Sequence, residues 1–233
     1  QQRDLVGRIR VHRHELGRVP VAAQAHRRAH ESDLVADDVA LALEHTAQGP
    51  VRVLGLGQQP FAPPSPAVGS LVIHGLLDSE SVAGAVRMTL RPGDVTFVDV
   101  EMTLFARQAL EHVGFGCTSA TFLSGPQSRR VFDDIRSSIG EVSGVQMQSG
   151  GGEWIYRPVN NPATLQVSSF VDENPRGFGL VQRERDPAAF QDDDQRFELR
   201  PSVWNEPLGD WSAGSVQLIE IPSDSEVNKN IIT

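Results

Sequence analysis

The chain has 233 residues and a formal net charge of -9, from 21 basic and 30 acidic residues. An acidic chain with scattered arginines is a poor fit to a nucleic-acid-binding surface, which needs a basic patch to neutralise phosphates. No run of about 18 apolar residues is present, so no membrane-spanning helix is expected. A single cysteine, Cys117, excludes an intrachain disulfide and a metal site built from several cysteines.

Residues 1–66 carry the weakest structural pattern. Short strands are predicted at residues 9–12 and 51–56, and residues 34–45 have a weakly helical pattern. A proline-dense break at residues 61–66 marks the predicted boundary, because proline removes a backbone donor and restricts its neighbours. We therefore predict an atypical segment, 1–66, followed by a domain, 67–233.

Histidines are concentrated in that first segment, which holds five of the seven in the chain. His12 with His14, and His26 with His30, have spacings that could contact a metal. No cysteine and no HExxH pattern accompany them. We therefore predict no metal and no cofactor.

From residue 67 the pattern becomes that of β-strands. Residues 91–94 read RPGD, which predicts a turn, and residues 94–107 alternate apolar and polar side chains. Further strands are predicted at 70–77, 121–124, 145–148, 153–157, 165–171, 178–183, 195–199 and 215–221. Residues 133–138 are expected to form one helical turn. Short strands separated by Gly, Pro, Asn and Asp predict an all-β, antiparallel sandwich.

Two carboxylates are candidate functional groups because of their positions in the sequence. Asp99 lies within a strand, where Asp is disfavoured, and Asp186 follows two arginines at the end of a predicted strand, just before Pro187. Glycosidic-bond hydrolysis needs two carboxyl groups, one protonated and one ionised. For any acidic residue taken alone, a solvated surface position is the simpler interpretation.

Aromatic residues cluster in the C-terminal half. The three tryptophans and the single tyrosine lie between residues 154 and 211, and alternation places Trp154 and Tyr156 on one face of their strand. Sugars present C–H faces that pack on aromatic rings beside polar side chains. Packing within the sheet is the alternative role for these rings.

Residues 152–162 read GEWIYRPVNNP. They are similar to the GEWIWRPLNNP segment of the periplasmic glucan biosynthesis proteins of the MdoG/OpgG and OpgD type. The similarity continues in order through VSSF (167–170), ENP (173–175), GFGL (177–180), QR and RD (182–186), LRPS (199–202), GDW (209–211), GSV (214–216) and EIP (220–222). Upstream, LLDS (76–79), PG (92–93) and VDV (98–100) also fit. The resemblance covers about residues 70–233.

This resemblance implies a large antiparallel β-sandwich similar to galactose mutarotase, here incomplete and without the immunoglobulin-like domain that follows in full-length members. It implies a periplasmic location and a β-glucan partner with a β-1,2-linked backbone. It also implies contact with glucan synthase machinery and leaves a homodimer open. Some members of the OpgD type resemble inverting β-1,2-glucan hydrolases.

Carried onto this sequence, the resemblance implies Asp186 as general acid and Asp99 as candidate base. The substrate-binding residues it implies are Trp154, Tyr156, Arg157, Arg183 and Arg185.

The chain also departs from the family. Where the family has a YRPEVHDSDGL-like stretch, residues 135–145 read IRSSIGEVSGV and keep only Arg136 and Gly144. Residues 1–66 do not resemble the family, and we expect that they arise from a frame-shifted reading of a GC-rich gene. Three functions stay open at this point: a glucan-binding and glucan-shaping factor, an inverting β-1,2-glucan hydrolase, and an inactive fragment.

Overall fold

The computed structural model describes residues 5–14, 52–54, 69–110, 113–128, 133–209 and 211–233, and for the first two ranges it describes the backbone alone. Among these residues fifteen strands occur, and helical structure is confined to two 3-10 helices. The strands are β1 (Leu5–His14), β2 (Arg52–Leu54), β3 (Leu71–Asp78), β4 (Val82–Arg91), β5 (Val95–Ala106), β6 (Ser119–Ala120), β7 (Phe122–Ser124), β8 (Ile139–Gly140), β9 (Gly144–Gln148), β10 (Trp154–Pro158), β11 (Gln166–Asp172), β12 (Gly177–Val181), β13 (Ser202–Pro207), β14 (Gly214–Glu220) and β15 (Ile231–Ile232). The helices are η1 (Pro187–Ala189) and η2 (Phe197–Leu199).

The described residues fall into two compact units. The first comprises those up to Cys117, apart from residues 13 and 14, and the second comprises these two and the residues from Thr118 onward. In the first unit the strand order is β1-β5-β4-β3-β2, and the β2-β3, β3-β4 and β4-β5 pairs are antiparallel. Residues 92–94 join β4 to β5, which confirms the predicted turn.

The alternation in β5 decides which face of the first unit is buried. Val98, Val100, Met102 and Leu104 are each at most 7% exposed, whereas Phe105 on the other face is 48% exposed. The buried side chains pack with Leu77 of β3 and with Val82, Val86 and Met88 of β4. This face removes apolar surface from water, which favours folding by about 25 cal/mol per Å².

The second unit contains two principal groups of strands. One has the order β10-β9-β12-β13, the other has the order β11-β14-β15-β6, and β7 and β8 form a separate two-stranded sheet. Every described strand pair in this unit is antiparallel.

The core of the second unit lies between these two groups of strands. Val145, Met147 and Leu180 from one group form a single buried cluster with Val216, Leu218 and Ile231 from the other. Side chains from the inner faces of two antiparallel sheets that form one core define a β-sandwich. The predicted all-β sandwich class is therefore confirmed.

Two local predictions are wrong. Residues 195–199 do not form a strand, because Arg196 has a left-handed φ of 50° and starts η2, which buries Phe197 beside Phe190. Residues 133–138 contain no helical turn, because the Asp134 side chain accepts the Arg136 N–H and holds the backbone in a loop.

Most predicted strands are confirmed with small shifts at their ends. The strand predicted at 9–12 lies within the longer β1, and the strand predicted at 51–56 contains the shorter β2. The strands β4, β6, β8, β13 and β15 were not predicted. The weakly helical pattern at 34–45 and the predicted boundary at 61–66 lie outside the described residues. In the described part of the chain, no helix has the length and hydropathy needed to span a membrane.

Candidate functional site

The outer face of the β10-β9-β12-β13 sheet carries a row of aromatic and amide side chains. Trp154 and Tyr156 of β10 pair in register with Gln148 and Gln146 of β9. Successive side chains of a strand point to opposite faces, and the intervening Met147 is buried in the core. Trp154, Tyr156, Gln146 and Gln148 therefore point away from the core, which confirms the predicted common face of the two aromatic rings.

Two glycines allow aromatic rings to approach the backbone of this sheet closely. A Cβ added at Gly177 would meet the Trp204 indole at 2.4 Å, and one added at Gly144 would meet the Tyr156 ring at 2.6 Å. The absence of a side chain at Gly177 lets Trp204 of β13 reach Trp154, with ring centroids 5.2 Å apart and planes tilted by 34°. We call Trp154, Tyr156, Trp204, Gln146 and Gln148 the aromatic face.

The aromatic face is accessible to a ligand. Trp154 keeps 57% of its surface exposed, and Trp204, Tyr156 and both glutamines are partly exposed. Flat rings beside amide groups match a sugar, whose C–H face is apolar and whose hydroxyls donate and accept hydrogen bonds.

A cavity of about 340 Å³ opens beside Tyr156. Its volume is at the small end of the range for ligand pockets. The polar part of its wall comes from Ser124, Gln127, Ser138, Ser143, Gln182, Arg183 and Glu184, and the apolar part includes Phe122, Val142, Tyr156, Val159 and Phe190. Tyr156 belongs both to the cavity wall and to the aromatic face, so the two features are continuous.

Hydrogen bonds hold the polar part of the cavity wall in place. The Tyr156 hydroxyl donates to the carbonyl of Ser143 at 3.1 Å, and the Ser143 hydroxyl donates to the Gln182 Oε1 at 2.5 Å. The Arg183 guanidinium lies 4.8 Å from the centroid of the Tyr156 ring, a distance at which a cation is attracted to an aromatic face. The structure thus brings the predicted residues Tyr156 and Arg183 together.

Asp186 lies at the surface, two residues beyond the cavity-lining Glu184. Its carboxylate caps η1 by accepting the Ala188 N–H at 2.9 Å. Its own N–H donates to Glu184 Oε1 at 2.9 Å. The loop therefore presents two carboxylates, one of which lines the cavity.

Arg185 is directed to a different element. Its Nη1 donates to the carbonyls of Glu198, at 2.9 Å, and Arg200, at 2.6 Å. Burial lowers the pKa of the Arg185 guanidinium. Arg185 thereby anchors the loop that carries Asp186 to η2.

Arg157 lies on the opposite face of β10 from Trp154 and Tyr156. It pairs in register with the buried Val145, its Nη1 donates to the carbonyl of Pro158 at 2.6 Å, and its Nη2 lies 3.6 Å from Oε2 of Glu220. The structure does not bring Arg157 to the aromatic face.

Asp99 belongs to the first unit. It lies on the more exposed face of β5, with 23% of its side chain exposed, and forms an ion pair with Arg91 of β4. Asp186 belongs to the second unit.

The sequence patterns did not identify Trp204 as a site residue, and they did not predict the cavity. The signal available in the sequence was the pair of glycines in Gly177-Phe178-Gly179, because small residues within a strand often mark a close approach. In the described part of the chain, no group of three or more His, Cys, Asp or Glu side chains is placed to hold a metal ion.

Comparison with known proteins gives consistent matches. The sequence profile of the family described as periplasmic glucan biosynthesis protein, MdoG, matches residues 60–233. The chain is 52% identical over 168 residues to glucans biosynthesis protein G of Rhodopseudomonas palustris, covering 72% of this chain and 34% of that protein. It is 49% identical to glucans biosynthesis protein G of Shewanella baltica over 163 residues and of Vibrio cholerae over 162 residues, covering 70% of this chain and 30% of each relative.

The chain thus spans about a third of the length of these curated relatives. The profile match extends over most of the chain and includes both the aromatic face and the cavity. The chain therefore belongs to the family of periplasmic glucan biosynthesis proteins.

Proposed function

We propose that this chain binds a β-1,2-linked glucan along the aromatic face and shapes it during periplasmic glucan biosynthesis. The observation that carries the proposal is the exposed Trp154–Trp204 pair, continuous through Tyr156 with the cavity. The family description and the names of the relatives refer to glucan biosynthesis. A periplasmic location, contact with glucan synthase machinery and a homodimer belong to this proposal.

The physical basis of binding is the pairing of flat apolar and polar surfaces. Indole and phenol rings remove the C–H faces of sugar rings from water. Gln146 and Gln148 offer amide donors and acceptors for the hydroxyls. The cavity of about 340 Å³ beside Tyr156 gives room for a glucosyl residue that leaves the plane of the aromatic face.

Intrinsic tryptophan fluorescence tests this proposal, because the chain has three tryptophans. Titration with linear β-1,2-glucan should change the emission of the wild type and of Trp211→Phe. The change should be lost in Trp154→Phe combined with Trp204→Phe. An equal response of a β-1,4-linked oligosaccharide would count against selectivity for the β-1,2 linkage, and no response of the wild type would reject glucan binding.

Hydrolysis is a second candidate function, which the position of Asp186 favours. Asp186 is exposed and follows the cavity-lining Glu184 by two residues. In the proposed inverting reaction, Asp186 donates its proton to the glycosidic oxygen. A water activated by a second carboxylate attacks the anomeric carbon from the opposite side, the bond from that carbon to the glycosidic oxygen breaks, and the leaving sugar departs with the proton from Asp186.

Product analysis separates the two functions. Incubation with linear β-1,2-glucan should release shorter oligosaccharides with the wild type and with Asp193→Asn, an exposed control in the same part of the chain. Release should be lost with Asp186→Asn. Binding without release by the wild type would leave the glucan-shaping role and reject hydrolysis.

A further inference from the structure

Glu220 is a carboxylate inside the sandwich core. It is 0% exposed and follows Val216 and Leu218 on the inward face of β14. Burying a charge costs free energy unless the charge is paired and hydrogen-bonded. Burial raises the pKa of Glu220, and the Asn160 N–H and Arg157 oppose that increase.

The partners of Glu220 come from the end of β10. Its Oε1 accepts the backbone N–H of Asn160 at 2.5 Å, and its Oε2 lies 3.6 Å from Arg157 Nη2. Within the described part of the chain, Oε2 accepts no hydrogen bond. Glu220 therefore acts chiefly on the segment that runs from Arg157 to Asn160.

That segment connects Glu220 to the cavity wall. Val159 lines the cavity directly. The Asn160 side chain is hydrogen-bonded to the Ser128 hydroxyl. Ser128 closes a turn with Gly125 through two backbone hydrogen bonds of 3.0 and 3.1 Å, and Gly125, Pro126 and Gln127 line the cavity.

We propose that Glu220 is a positioning residue, which fixes Asn160 from inside the core and thereby holds the turn 125–128 against the cavity. A charged group at this position costs stability, whereas a neutral glutamine of the same shape would avoid the burial of charge. The benefit of the charge is a stronger hydrogen bond from the Asn160 N–H, because hydrogen bonds to ionised acceptors are stronger than those to neutral ones. The inference rests on the proposed glucan-binding function of the cavity.

Glu220→Gln tests the role of the charge, and Glu198→Gln is its matched control. Glu198 is also buried, at 3% exposed, is paired with Arg196 at 2.5 Å, and has an oxygen that accepts no hydrogen bond among the described residues. Affinity for linear β-1,2-glucan should fall roughly three- to tenfold in Glu220→Gln, as expected for losing a charge-assisted bond, and should be unchanged in Glu198→Gln. Ser128→Ala removes the hydroxyl that is hydrogen-bonded to Asn160 and should reproduce the loss of affinity.

The pH profile gives a readout that a purely structural role would not change. Wild-type affinity should fall as the pH is lowered through the raised pKa of Glu220, because protonation weakens the bond from Asn160. The ion-paired group near Glu220 in the described structure is Arg157, which stays protonated over this range. This component should vanish in Glu220→Gln and persist in Glu198→Gln, and equal profiles in both variants would overturn the inference.

Amide hydrogen exchange separates this inference from the proposed function. Without any ligand, Gly125 and Ser128 should exchange about tenfold faster in Glu220→Gln than in Glu198→Gln or the wild type, since local opening sets the exchange rate. Unchanged exchange would overturn the positioning role, even if the glucan binds. Faster exchange in a protein that binds no glucan would retain the positioning role and reject the glucan proposal alone.

Discussion

Trp154 leaves 57% of its surface in water although Trp204 packs against it. Exposed apolar area costs about 25 cal/mol per Å² relative to burial. A ligand that covers the indole removes this area from water, which adds to the free energy of binding. Arg136, by contrast, has its interactions within the molecule. Its guanidinium forms ion pairs with Asp134, Asp192 and Glu226.

Trp154→Ala should weaken glucan binding about tenfold or more, because truncating an aromatic anchor at a binding surface commonly costs about 2 kcal/mol. The free energy of unfolding should change much less, since the side chain is already half exposed. Calorimetric titration and thermal melts measure the two quantities. Trp211→Ala is the control, and an equal loss of affinity there would show that the effect is not specific to the aromatic face.

Arg136→Gln should lower the free energy of unfolding at neutral pH by about 2–3 kcal/mol, because it leaves partly buried carboxylates without their cation. Arg87→Gln, at an ion pair with both partners more than a third exposed, should cost under about 1 kcal/mol. Urea unfolding of both variants measures the difference. Similar values for the two would contradict the role given to Arg136.

The same ion network predicts a pH dependence. The hydrogen bond from Arg136 lowers the pKa of Asp134. For Asp192, burial acts to raise the pKa, but N–H groups of Gln195 and Asp194 together with Arg136 outweigh it and lower the pKa. Both carboxylates thus stabilise the fold above their unfolded pKa values, and this contribution is lost as the pH falls through the folded values. Stability should therefore fall less steeply with acid in Arg136→Gln than in the wild type, and parallel curves would refute the linkage.

At the level of elements, the alternating pattern of residues 94–107 was sufficient to predict β5 and its buried face, because a sheet with one buried face requires a period of two. In β4, Ala83, Gly84 and Ala85 carry little hydrophobic contrast, so its first half gave no pattern. Residues 195–199 show the same alternation as a strand, yet they form a 3-10 turn, which also buries Phe197 against Phe190. Local periodicity cannot distinguish a short strand from such a turn.

Only the part of the candidate site that lies within one strand could be predicted from local patterns. Trp154 and Tyr156 share a strand, so their common face follows from alternation alone. Trp204 reaches them from β13, over Gly177, and this depends on which strands are neighbours. Strand order is set by the packing of the whole sandwich and was not contained in any local pattern.

Gly177→Ala should disrupt the aromatic face at the level of the sheet. The new Cβ would lie 2.4 Å from the Trp204 indole, so Trp204 must move away from Trp154. Glucan affinity should fall, and stability should drop by about 1–3 kcal/mol from overpacking. At Gly214, in β14, an added Cβ meets nothing within 4 Å, so Gly214→Ala should leave affinity unchanged. Native affinity in Gly177→Ala would argue against a contribution of the tryptophan pair.

For the molecule as a whole, the second unit holds the aromatic face, the cavity and Asp186, and its own sandwich core positions them. The first unit holds Asp99, which the family resemblance implies as a candidate base. Glucan binding on the aromatic face needs residues of the second unit only.

The most direct test of the central claim is a calorimetric titration of the chain with linear β-1,2-glucan, comparing the wild type with Trp154→Ala combined with Trp204→Ala. Covering the rings should give saturable binding with a negative heat capacity change, and the double variant should keep a cooperative thermal melt while binding is lost. Unchanged affinity in a folded double variant, or no binding by the wild type, would contradict the claim that this face binds the glucan.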